Sequence, residues 1–392
     1  MQSLKRCAIV ASCVTIAACS HPTGLSQSAY TPVVKVAPDR TKESSYDVLF
    51  NFNESNGGSP EGVLANIRGA LYGTTGYGGA YDWGTVFSLT KNGTHKLLHS
   101  FGQDTDGEHP SAGMIYAGGD LYGTTTLGGN YNNGTFFVIT PGGMEQVLYS
   151  FGSGIDGAQP EAMLLEKGGT FYGTTVYGGA YRKGTLFSMT ADGTEKVLHS
   201  FGDGDDGAIP LADLIEVNGT LYGTTYHGGA TNDGTAFRIT KDGTEKVLHS
   251  FGNGNDGANP SAALTADNGM LYGVTEMGGA YGHGTFFSMT ADGTEKVLHD
   301  FGNGDDGAYP RADLIGVDGT FYGTTLNGGA HDKGSVFSVP TDGTERVLHS
   351  FGDVDQDGEI PHAGLLDVNG TLYGTTSSGG RNSDGIVFSL KP

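Results

Sequence analysis

Cysteine is nearly absent from this 392-residue chain, and its three copies, Cys7, Cys13 and Cys19, all fall within the first nineteen residues. No disulfide can therefore brace anything downstream of Cys19. Tryptophan occurs once, as Trp83. Positive charge is scarce: 21 Lys and Arg face 43 Asp and Glu, for a formal net charge of −22. A surface of that sign repels nucleic acid and anionic lipid headgroups, which excludes both as partners. After Cys19 no apolar run approaches the ~20 residues of a transmembrane helix, and helical periodicity is missing too. Glycine is what the chain has in excess, with 69 residues. Without a collagen-like period, it must serve turns and close contacts.

The chain opens with Lys5 and Arg6, then an apolar run from Cys7 to Ala18 that is too short to span a bilayer. The run ends in Ile16-Ala17-Ala18-Cys19, which resembles a bacterial lipobox with Cys19 as the diacylglycerol acceptor. The competing expectation is an ordinary secretory leader cut at a small-residue site. Ser20 follows Cys19, not Asp, which by resemblance to Gram-negative lipoproteins points to the outer membrane. Residues 1–19 are thus expected to be a lipoprotein signal peptide. Residues 20–45, rich in Ser, Thr, Pro and charge, are expected to be a flexible tether. The only expected membrane contact is the Cys19 lipid.

From residue 46 onward the chain repeats itself about every 50 residues. The string Y-G-T-T, or a near copy, begins at Tyr72, Tyr122, Tyr172, Tyr222, Tyr272, Tyr322 and Tyr373. Behind the first come Gly78-Gly79, Gly84 and Phe87, and the same train follows the others. A unit this short cannot bury its own apolar face, so copies must stack. The fourth unit resolves into residues 212–217, the turn Asn218-Gly219, then 220–225, 234–240 and 245–251, all with strand character. Four antiparallel strands repeated seven times predict an all-β, seven-bladed β-propeller. An open β-solenoid is the rival. The ends favour a ring: the last unit stops after three strands, and residues 46–52 (Y-D-V-L-F-N-F) match the missing fourth. That N-terminal strand is expected to complete the last blade and remove two open edges.

The train Y-G-T-T-x-x-G-G-x-x-x-x-G-T-x-F followed by V-L-H-S-F resembles the GloVer tandem repeat of exported bacterial proteins with differing membrane anchors. The resemblance covers all seven units. It implies an exported propeller-type array and brings no activity and no catalytic residues with it. Departures are Val274 within the fifth Y-G-T-T and Arg381-Asn382 where three units have Ala-Tyr.

In a propeller the second-to-third and fourth-to-first connections share one face, the candidate working surface. The former carry Tyr77, Tyr81, Trp83, Tyr131, Tyr177, Tyr181, Tyr226 and Tyr281, flat rings suited to stacking on sugars or to protein contact. The competing expectation is that each ring is a peg packed on glycines of the next blade. The acidic fourth-to-first loop gains one residue in the last unit. It becomes D-x-D-x-D-G, with Asp353, Asp355 and Asp357 as candidate calcium ligands, though Gly364 stands where a closing Glu would be. There too the plain alternative is a turn. His99, His199, His249, His299 and His349 recur on the outermost strand, too far apart around the ring to converge on one metal, and are expected to be structural. The residues after the loop prolines, Glu61, Ser111, Glu161, Leu211, Ser261, Arg311 and His362, should ring the channel mouth. The expectation is a monomeric, non-catalytic propeller presenting an acidic, aromatic face to a glycan or protein. The alternative is an enzyme acting on polysaccharide or peptide at the mouth through Glu61, Arg311 and His362.

Overall fold

A computed structural model describes residues 45–392; the Cys19 lipobox and all but the last residue of the expected tether lie outside them. Every regular element among the described residues is a β-strand. Seven antiparallel sheets of four blade strands each follow one another as the blades of a propeller, numbered in chain order from the N-terminus, and in blade 6 the loop strand Gly307–Pro310 adds a fifth. Blade 4 is typical: Ile215–Val217 is innermost, then Thr220–Thr225, Thr235–Thr240 and Glu245–Ser250. The turn between the first two is Asn218-Gly219, both at positive φ (52° and 82°), as a two-residue hairpin of this hand requires.

The innermost strands are shorter than their sequence suggests, three residues where about six are expected. The backbone before them is satisfied by neighbouring blades, not by its own hairpin partner. Thr74 Oγ1 in blade 1 donates to the Ala112 carbonyl of blade 2, and Thr224 Oγ1 in blade 4 to Ala262 of blade 5. The second threonine of each Y-G-T-T bonds within its blade, as in Thr225 Oγ1 to Thr235 Oγ1 at 2.8 Å. The glycine between tyrosine and threonine is equally determined: a Cβ on Gly223 would lie 2.7 Å from Cζ of Phe237 and 2.9 Å from Cδ2 of Leu214. That absent side chain is the slot in which the phenylalanine of the third strand sits.

Ring closure is as expected. Ser45–Asn51 pairs antiparallel with Ile386–Lys391 as the outermost strand of blade 7, Tyr46 opposite Leu390 and Asn51 opposite Ile386. Thr375 Oγ1 donates to the Pro60 carbonyl and Phe52 N to Gly385 O, copies of contacts made at other junctions.

The blade junctions also carry a polar seam on their outer side. His199 Nε2 meets Asp206 Oδ2 at 2.9 Å, and the same pairing recurs at His99–Asp106, His249–Asp256, His299–Asp306 and His349–Asp357. Where Tyr149 replaces the histidine, its hydroxyl donates to Asp156. A glutamate of the following blade faces each of the first five aspartates: Glu145, Glu195, Glu245, Glu295 and Glu345, all pushed up to about 7, by burial above all. At the last two junctions the glutamate position changes hands. Tyr46 stacks on His349 at 3.7 Å and donates to Asp357, while His95 stacks on Phe50 at 4.4 Å.

Two outcomes follow. Deleting residues 45–51 should leave the Ile386–Lys391 edge open and drive aggregation; a deletion variant that stays monomeric by light scattering and melts normally would contradict the closure. The second concerns Glu195, whose carboxyl, buried and then repelled by Asp156, titrates near 7 in place of 4.5. The folded state thus binds this proton more tightly than the unfolded one. Its stability is highest below about pH 4.5 and falls as pH rises through 7. Because the group is only partly buried, screening trims the effect to ~1 kcal/mol. Glu195→Gln should melt about 1–3 °C above wild type at pH 8 and level with it near pH 5. Equal melting at both pH values would show that no proton is held there.

Candidate binding face and channel mouth

The loops of the working face are locked together before any ligand arrives. Gly107–Glu108, in the loop entering blade 2, pairs with Leu127–Gly128 in the second-to-third loop of that blade, and the pattern recurs around the ring. Both connection types therefore share one face. The residue before each loop proline sits in the left-handed region in all seven copies: Ser59, His109, Gln159, Ile209, Asn259, Tyr309 and Ile360, with φ from 53° to 58°. A non-glycine residue before proline avoids this conformation, above all a β-branched one. Hydrogen bonds on both sides hold it there. In blade 2, His109 N donates to Trp83 O of the preceding blade, and His109 O accepts from Thr126 N. Its side chain adds a third bond, donating from Nδ1 to Gly76 O at 2.7 Å.

Strain is thus stored in every blade beside positions that vary. Six residue types occupy the position before the proline and five the position after it. The latter set, Glu61, Ser111, Glu161, Leu211, Ser261, Arg311 and His362, lines one cavity at the channel mouth, as their spacing suggested. Their charges act on one another. Burial pushes the Glu161 carboxyl up; Arg311 offsets part of that and Glu61 adds to it. Burial pushes the His362 imidazole down, Glu61 pulling the other way and Arg311 reinforcing burial, which favours the neutral ring. Ser59 Oγ donates to Glu61 Oε1 at 2.9 Å, and Arg311 Nε lies 3.9 Å from Glu276 Oε2.

Sequence reasoning missed the tier below. Asp213 and Asp313 line the same cavity two residues further along their strands. Each accepts a backbone N–H of the preceding blade at 2.6 Å, from Met163 and Ala263 respectively. Burial raises both carboxyls, and for Asp213 the neighbouring Asp313 charge and hydrogen bond add to it. The Asp313 charge thus further disfavours ionisation of the buried Asp213. The available signal was internal: only the fourth and sixth units place Asp where the others have Val, Gly, Met or Ala.

Of the eight aromatic candidates, seven are exposed: Tyr77, Tyr81, Trp83, Tyr131, Tyr177, Tyr181 and Tyr281. Six of these belong to blades 1, 2 and 3 and form a one-sided arc; Tyr281 stands alone on blade 5. At its base Trp83 packs against Gly102, where a Cβ would lie 2.4 Å from Trp83 Cδ1. The outer ring surfaces are free: Tyr77 is 53% and Trp83 41% exposed, both set edge-on to His109. Tyr226 differs. It sits one place earlier in its loop than Tyr77 and Tyr177, and burial and the Glu276 charge raise its hydroxyl. Its hydroxyl interacts with Glu276 and Arg311, apart from the arc.

The three aspartates of the inserted loop are sent in different directions. Asp357 is buried, and its Oδ1 accepts from Tyr46 Oη and Gly358 N, its Oδ2 from His349 and Gly352 N. Burial alone would raise this carboxyl, but those bonds hold it below its usual range. Asp353 pairs with His331 at 2.8 Å at the exposed rim, and Asp355 is exposed. The string D-x-D-x-D-G builds a turn whose last aspartate is committed to the blade junction.

No curated protein matches the chain by sequence. Among solved structures it is similar to a streptogramin B lyase, with a TM-score of 0.60 at 15% identity over 88% of this chain and 97% of that one. It is similar also to virginiamycin B lyase from Staphylococcus aureus, with a TM-score of 0.59 at 11% identity over 89% and 100% of the two chains. A third is PorZ, a surface component of the type-IX secretion system of Porphyromonas gingivalis, with a TM-score of 0.56 at 15% identity over 86% of this chain and 46% of PorZ. At such identities the likeness is one of fold. Sequence is more specific: residues 23–237 and 217–392 match the Gloeobacter/Verrucomicrobia repeat. The chain belongs to that repeat family.

Proposed function

We propose that this protein is a non-catalytic binding propeller, anchored through a lipid on Cys19 in the outer membrane, that holds a neutral glycan across blades 1 to 3 of its loop face. The observation that carries the reading is the one-sided aromatic arc. Six exposed rings stand on three consecutive blades, and at their bases Trp83 packs against Gly102 and Tyr181 against Gly202. Flat rings of fixed orientation stack on the C–H faces of sugars at little entropic cost. The loops beside them offer carboxylates to sugar hydroxyls, and the net charge of −22 disfavours anionic polymers. A protein partner is the other occupant such rings suit.

Trp83 is the only tryptophan and lies within the arc, so intrinsic fluorescence reports binding directly. Titrating neutral polysaccharides should shift its emission, and Tyr177→Ala should weaken binding about tenfold, ~1.4 kcal/mol. No shift with any glycan, together with capture of a protein that Tyr177→Ala abolishes, would replace the ligand class.

A second reading is enzymatic. It is favoured by the mouth cavity, where Glu161 raised by burial, His362 lowered by burial, Arg311 and the Asp213–Asp313 pair share one small space. Polysaccharide cleavage that stops in His362→Ala would select it. For the anchor, Cys19→Ser should abolish labelling with radioactive palmitate and release the protein from the membrane fraction; undiminished labelling would rule out Cys19.

A further inference from the structure

The polar seam between blades 5 and 6 differs from an ordinary ion pair. His299 Nε2 lies 3.0 Å from Asp306 Oδ2, and Glu345 of the next blade brings its carboxylate alongside. One ligand atom from each of the three residues falls within 4.8 Å of the others. The Asp306 side chain is only 7% exposed, yet its Oδ1 has no hydrogen-bond partner, and neither has Glu345 Oε1. A buried carboxylate oxygen left unpaired is costly, because it has given up water with no bond in return. Asp300 adds a further negative charge beside His299, its Oδ1 occupied by Ala280 N. Among the described residues no lysine or arginine pairs with these three carboxylates. The cluster thus holds one imidazole, three carboxyl groups and two unpaired buried oxygens.

We propose that His299, Asp306 and Glu345 bind a divalent transition-metal cation of the zinc class, which clips blade 5 to blade 6. One nitrogen and two carboxylate oxygens are a donor set suited to zinc, with a fourth position left for water. Tetrahedral ligands at about 2.0–2.1 Å stand roughly 3.3 Å apart, so the observed His299–Asp306 spacing needs only a few tenths of an ångström of adjustment. Calcium, which takes about 6–8 oxygens, is poorly served here. The cation replaces the proton that otherwise bridges imidazole and carboxylate, and it occupies the unpaired oxygens.

The junction of blades 1 and 2 reproduces the set. His99 Nε2 is 2.9 Å from Asp106 Oδ2, Glu145 completes the group, and Glu145 Oε1 is unpaired. Elsewhere the set is broken by residue type, with Tyr149 for histidine, or Tyr46 and His95 for glutamate. At His199 and His249 the donors do not close to the same spacing. Two sites per chain are therefore expected, each linking consecutive blades.

The test uses the full chain in detergent, stripped with chelator and titrated with zinc chloride at pH 7.5 by calorimetry. Wild type should take up two equivalents and melt at a higher temperature, whereas calcium chloride should do neither. Glu345→Gln should lose one equivalent, or bind it at least tenfold more weakly, and Glu145→Gln the other. The stripped variants should melt no lower than stripped wild type, because each loses an uncompensated carboxylate; this separates lost ligation from lost folding. Cobalt substituted for zinc should give visible d–d absorption that falls by half in each variant. Absence of zinc uptake would overturn the proposal, as would uptake unchanged in both variants.

Discussion

The lone glycine that opens each third strand is where consecutive blades come closest. A Cβ at Gly84 would stand 2.6 Å from Cδ of Pro110 and 2.4 Å from the Thr75 carbonyl. Around the ring the distance to the proline is 2.6–2.8 Å at every junction, from Gly84 to Gly385 against Pro60. Any side chain here would force two blades apart or unpair a ladder. The proline in turn ends the loop and places the next residue at the channel mouth, while the residue before it is pressed into left-handed geometry. Closure, the clamped loop face and the arrangement of the mouth all depend on this approach of a glycine to a proline.

Around that contact the junctions are built from two layers of different chemistry. Inside, phenylalanines of third and fourth strands interdigitate, as Phe201 does with Phe237 at 5.1 Å, in clusters that join neighbouring blades. Outside, a histidine and an aspartate of one blade meet a glutamate of the next. The outer layer is electrostatically under-compensated, since five glutamates are raised to about 7 by burial and acidic neighbours. Where the chain closes on itself the set is rewritten. Tyr46 contributes a donor where others have a carboxylate, and Phe50 with His95 make an uncharged stack. The closing junctions therefore lack the repulsion that the internal ones carry, which suits the one place where the ring is held by non-covalent pairing alone.

Seven near-identical blades would give a symmetric, featureless surface, so what breaks the symmetry carries the recognition. The breaks are spatially sorted. Aromatic rings gather on blades 1 to 3, the Arg311–Glu276–Tyr226 group lies on blades 4 to 6, and paired carboxyls from blades 4 and 6 face each other down the channel. Positions that hold the blades together barely change from copy to copy. The stored backbone strain falls beside the variable positions, where rigid presentation of a side chain is worth its cost.

The repeat, its strand pattern and the complementary ends determined the propeller and its closure, because glycine placement and apolar alternation are local requirements repeated seven times. Local rules also placed Glu61, Arg311 and His362 at the mouth, since one proline per unit sets their position. What the sequence left undecided depends on side chains from different blades. Thr74 and Thr224 shorten the inner strands by reaching across a junction. Asp213 and Asp313 come together over an intervening blade, and Asp357 gains a hydrogen bond from Tyr46, 311 residues away in sequence. His299 reads as a packing residue in the sequence because no other histidine converges on it; Asp306 and Glu345 become its neighbours through the docking of two sheets. Periodicity reports what every unit must do alone. Burial, and with it charge and proton affinity, is decided only when one blade is laid against the next.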